Sequence, residues 1–148
     1  MRRSLIGLAG DFTLAAALSA CGGGVSKSDY VTKADGACGP GNGALAAVTK
    51  PSNLPELATA AGTLATTVDT QAAELRNVDP PGDDKAVVTG LIGVLAEVAV
   101  PARALQEAAG KTDDKATAQA ANELKAKADA AAVQAKAYGL KTCGTVGS

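Results

Sequence analysis

Apolar residues in this chain recur at intervals of three, four and seven, and nowhere do they alternate for long. Leu57, Ala61, Leu64, Val68 and Leu75 are the clearest run. That spacing lays a stripe along one side of an α-helix, whereas a half-buried strand needs strict alternation. Valine is scattered among Ala, Leu, Glu and Lys instead of gathering in β-branched runs, so the pattern predicts an all-α chain. Its 148 residues suit one domain.

Four helical segments follow from the punctuation. The first begins at Ser28, a fitting N-cap, with Asp29 in the first turn where the helix dipole favours it. Tyr30, Val31, Ala34 and Cys38 share a face, and Gly39-Pro40-Gly41 should break or kink the helix before it resumes across Leu45 and Val48. The second runs from Leu54 to Asn77, with Pro55 in its first turn, and Asp79-Pro80-Pro81-Gly82 ends it. The third spans Asp84 to Ala109, with Val87, Val88, Leu91, Leu95, Val98 and Leu105 inward, a kink near Pro101 and Gly110 as its stop. Thr112 caps the fourth, which runs to Tyr138; Gly139 is its left-handed C-cap and Leu140 its apolar clasp. The expected architecture is an antiparallel up-down-up-down bundle of about four helices.

The core of such a bundle is thin. Residues 21–148 contain 25 large apolar side chains (10 Leu, 12 Val, 1 Ile and 2 Tyr), while the whole chain has 34 Ala. At roughly 1.5–3 kcal/mol for each large side chain fully buried, the margin over conformational entropy is narrow.

The N-terminus has the order of a secretory signal. Arg2 and Arg3 precede an apolar stretch, interrupted by Asp11, that ends Leu18-Ser19-Ala20-Cys21. Phe12 to Ala20 is much shorter than the roughly 20 apolar residues a membrane-spanning helix needs. Leu18 to Cys21 resembles the lipobox of bacterial lipoproteins, in which a diacylglyceryl group is attached to the Cys thiol and cleavage makes that Cys the new N-terminus. The resemblance implies a signal peptide over 1–20, lipidation of Cys21 and a cell-membrane location on the extracytoplasmic side. Two acyl chains anchor stably where one is marginal. Residues 21–27, beginning Cys21-Gly22-Gly23-Gly24, then read as a flexible tether, and 28–148 as the bundle domain.

With Cys21 lipidated, Cys38 and Cys143 remain, an even pair in an oxidising compartment. No CxxC and no His accompany them, so a structural disulfide between Cys38 and Cys143 is expected over a metal or redox pair. In an up-down-up-down bundle both would fall at the same end, where the first helix starts and the last one finishes. The mature chain also resembles small helical lipoproteins of high-GC Gram-positive bacteria, through Tyr30 to Cys38, the Pro80-Pro81 loop after Leu75, and Tyr138-Gly139-Leu140 with Cys143-Gly144. That resemblance implies pairing of the two cysteines and assigns no biochemical role.

Composition excludes several chemistries. Fourteen basic residues balance 15 acidic ones, and two Tyr with one Phe offer no stacking platform, so no nucleic-acid partner is expected. Histidine is absent, and no Ser or Thr has an evident base beside it, so no enzyme activity, cofactor or metal site is expected. Asp83-Asp84 and Asp113-Asp114 each precede a helix and read as caps. Gly36, Gly39, Gly41 and Gly43 lack the strand and the Lys-Ser or Lys-Thr of a phosphate loop and read as a hinge. Lys125, Lys127 and Lys136, interleaved with Glu123 and Asp129, read as a solvated face. Two roles remain: an envelope module that meets a protein partner through an exposed face, and a carrier or sensor of a small apolar ligand held between helices.

Overall fold

The computed structural model describes residues 24–143; Cys21, Asp11 and the signal-like segment lie outside them. Five α-helices make four arms: α1 (Lys27–Ala46), α2 (Leu54–Arg76), α3 (Lys85–Glu97) followed by α4 (Ala99–Gly110), and α5 (Asp114–Tyr138). A 3-10 turn, Gly82–Asp84, leads into α3, and no strand occurs among the described residues. Contacts pair residues that climb one arm with residues that descend its neighbour. Gln71 reaches Cys38 while Thr59 shares a cleft with Val48; Asp69 pairs with Arg103 and Gly62 meets Gln106; Asp84 meets Tyr138 while Glu97 meets Lys127. The all-α bundle tied by Cys38–Cys143 is therefore present.

Helix starts are set by side-chain caps. Ser26, not Ser28, caps α1: its Oγ accepts from the Asp29 N–H at 3.1 Å, so the helix begins at Lys27, inside the expected tether. Asn53 caps α2 by accepting from the Glu56 N–H, and the Glu56 carboxylate accepts in turn from the N–H and hydroxyl of Ser52, just ahead of the cap. Those bonds, the Ser52 N–H first, hold the Glu56 carboxyl below the ordinary carboxylate range. At α5 the cap is Asp113, which accepts from the Ala116 N–H at 3.0 Å. Thr112, expected in that role, instead takes a left-handed φ of 55° just beyond α4. There the Asp113 and Thr112 N–H groups close onto the Ala108 and Ala109 carbonyls, and α4 continues through Gly110. Gly139 (φ 112°) ends α5 as expected, and Leu140 behind it is 1% exposed.

The two internal prolines behave differently. Pro101 interrupts its arm at Val98, one turn N-terminal to the ring, where the missing N–H and the clash with the carbonyl four residues back fall. Pro40 leaves α1 continuous through Ala46, contrary to the expected break. Bonds from neighbouring elements to Cys38 and Asn42 hold this stretch helical (described below).

Two apolar clusters form the core. The larger joins Tyr30, Ala34 and Cys38 of α1 to Val68 and Leu75 of α2, Val88, Leu91, Ile92 and Leu95 of α3, and Tyr138 and Leu140. The smaller, Ala61, Leu105 and Ala120 with Leu57 and Leu124 beside them, lies where α2, α4 and α5 meet through alanines. The arm Gly82–Gly110 is long and apolar enough to cross a membrane, but its large side chains supply this core. Val87, expected inward, is 56% exposed, because the stripe of α3 runs through Val88, Leu91, Ile92 and Leu95 instead.

Candidate functional site

Cys38 and Cys143 are bonded, with Cα atoms 5.2 Å apart. Cys38 lies in the second half of α1, not at the end of the bundle as the spacing suggests. The chain reaches it because residues 139–143 turn at Gly139 and run back along α1. Gly139 lies by Val31, and the N–H groups of Lys141, Thr142 and Cys143 all donate to Asp35. Asn42 Nδ2 donates to the Thr142 carbonyl at 2.7 Å. Asp35, Cys38 and Asn42 thus grip one strip of backbone over two turns of α1. Both cysteines are buried, which keeps reductants from the sulfur atoms.

The two tyrosines meet at the other end of this hook. Their rings are edge-on at 5.8 Å, and the Lys27 ammonium sits 4.3 Å above the Tyr138 ring. Tyr138 donates its hydroxyl to Asp84 at 2.8 Å, so Asp84 anchors α5 and makes no side-chain cap for α3. Burial, then that hydrogen bond, then the charge of Asp84 push the Tyr138 phenol well above its usual value. Tyr30 is shifted upward by burial.

Two of the clefts along the bundle lie at the internal prolines. One, about 410 Å³, opens between α1 and α2 at Pro40 and has Gln71 in its lining. Gln71 is 1% exposed, and its amide donates to the Cys38 carbonyl at 3.0 Å and to Asn42 Oδ1 at 3.2 Å. The other, about 710 Å³, lies between α4 and α5 and is lined by Val100, Pro101 and Ala126, with Glu97, Glu123 and Lys127 around it. Val100 is 65% exposed there.

The remaining candidates carry structure. Lys125 pairs with Asp129 and Lys127 with Glu97, each at 2.5 Å, on the exposed face of α5. The glycines at 36, 39, 41 and 43 are all inside α1. Among the described residues no group of three or more Cys, Asp or Glu could hold a metal ion. Sequence reading missed Asp35, Asn42 and Gln71. Gln71 had a visible signal: it falls between Val68 and Leu75, at a position where the helical stripe calls for an apolar residue.

Comparison with protein families, curated proteins and solved structures finds no match to this chain.

Proposed function

We propose that the protein is a lipid-anchored, extracytoplasmic module of the cell envelope that meets a protein partner and catalyses no reaction. Cys21 carries the lipid, after removal of residues 1–20, and five residues of chain, six Cα–Cα steps, separate it from the start of α1 at Lys27. Such a tether spans at most about 20 Å, which keeps the Tyr138 end of the bundle near the membrane surface. The Cys38–Cys143 disulfide supports an exported, oxidising location. Engagement of Asp113 in a helix cap and of Asp84 with Tyr138 supports a structural use of these carboxylates over a catalytic one.

The observation that carries the reading is the cleft at Val100. It is mostly apolar, solvent-open and flanked by charge, the composition of a small protein-docking site. Ala126 lies roughly 18 Å along α5 from Tyr138, clear of the lipid surface. The partner is accordingly an envelope protein that seats an apolar side chain against Val100 and Ala126.

Fractionation and crosslinking test both halves. Cys21→Ser should move the protein from the membrane fraction to the medium, and its retention in the membrane would refute the anchor. A photo-crosslinker at position 100 in intact cells should yield one discrete adduct that Ala126→Glu abolishes. An adduct unaffected by Ala126→Glu, or none at all, would refute the docking site.

A further inference from the structure

The cleft between α1 and α2 has a feature that packing does not explain. Gln71 uses both amide hydrogens on Cys38 and Asn42, yet its Oε1 is buried and accepts from nothing. A buried acceptor without a donor keeps its full desolvation cost. The cleft that Gln71 helps to line is otherwise walled by Ala37, Pro40 and Ala44 of α1 and by threonines of α2, a mostly apolar lining with Glu74 exposed at the rim.

The wall on the α1 side is rich in residues of weak helix propensity. Gly36, Gly39 and Gly43 have nothing within 4 Å of where a Cβ would lie, so no neighbour requires glycine there. Each weakens the helix relative to Ala, and Pro40 does so more strongly. Cys38 is fixed by the disulfide and Asn42 by its bond to the Thr142 carbonyl, so opening is confined to the last turn of α1, residues 43–46, where Ala44 lines the cleft.

We propose that this cleft binds a small, uncharged, largely apolar molecule carrying one N–H or O–H group, which donates to Gln71 Oε1 once the last turn of α1, residues 43–46, opens. The volume, about 410 Å³, is within the range of small-molecule sites. Glu74 at the rim disfavours an anion. The site lies on a different pair of helices from the Val100 cleft, and its existence does not depend on lipidation of Cys21.

The test is a fluorescence titration of the full chain carrying Cys21→Ser with N-phenyl-1-naphthylamine, an apolar probe with one N–H. Saturable binding of one probe per chain is expected. Ala44→Phe, which fills the cleft from an exposed position, should weaken it at least tenfold with the melting temperature unchanged. The isosteric ether 1-phenoxynaphthalene, which has no donor, should compete at least tenfold more weakly, and Gln71→Leu should erase that difference between the probes. Should Gln71→Leu fail to fold, the two probes on the unsubstituted cleft still decide the role of the donor. Non-saturating uptake, equal binding by Ala44→Phe or equal affinity of the two probes would overturn the proposal. No membrane takes part, so failure here is separable from failure of the anchor.

Discussion

Asp35 holds the C-terminal segment by accepting three successive backbone N–H groups, a charge-assisted set. Asp35→Ala should lower unfolding free energy by about 1–3 kcal/mol in denaturant titration, with the disulfide still formed. Tyr138 yields a pH prediction. Its folded-state pKa lies above the unfolded value of 10.0, so the folded protein holds the proton more tightly than the unfolded chain does. The stability this contributes is complete below about pH 10 and is lost as pH rises beyond it. Tyr138→Phe should therefore show a shallower fall in melting temperature from about pH 9 to pH 11 than the parent; parallel curves would exclude the effect. Thr112, a β-branched residue at φ 55°, is misplaced by local rules. Thr112→Gly should raise stability by about 1 kcal/mol, read from the same titration.

At the scale of elements, most of the fold was legible because the helical stripes are strong and Pro and Gly punctuate them. The end of α5 was read to the residue, since Gly139 followed by an apolar Leu140 is a local signal. The start of α2 at Leu54 was read correctly, while those of α1, α3 and α5 were misplaced by one or two residues. Ser26 and Ser28 are equivalent by type, and only backbone geometry shows which accepts from Asp29. The continuity of α1 could not be read at all. Its glycines and Pro40 argue for a break, and the bonds that oppose it come from Gln71, 33 residues away, and from Thr142, 100 residues beyond Asn42. Substitutions separate the two influences. Gly39→Ala should stabilise by about 0.5–1 kcal/mol, since nothing meets its Cβ. Gly41→Ala should destabilise, because its Cβ would lie 2.4 Å from the Gln71 amide and break that side chain's buried hydrogen bonds. Thermal melts of the two variants moving in the same direction would contradict this account of α1.

At the scale of the molecule, a thin core is held by a long-range tie. The larger cluster gathers around Tyr30, Leu75 and Tyr138, whereas the Leu105 end closes largely through alanine, which contributes little burial per residue. A bridge over 105 residues stabilises by up to about 4.7 kcal/mol in the chain-entropy description. Reduction should lower the melting temperature by roughly 10 °C or more, and an unchanged melting temperature would mean that the Asp35 and Asn42 contacts suffice. The disulfide was legible from cysteine parity. The hook that brings Cys143 back to mid-α1 was not, because it depends on where Gly139 turns the chain. Space between helices at Pro40 and Pro101 was legible from the two prolines, but the residues that line each cleft were not, since no local pattern links the two helices that form it. The central claim, that this bundle works from a lipid anchor at the cell surface, is tested most directly by the intact mass of protein extracted from its native membrane. The account predicts a chain that starts at Cys21 and carries covalent acyl mass. A mature chain starting elsewhere, or a Cys21 without lipid, would contradict it.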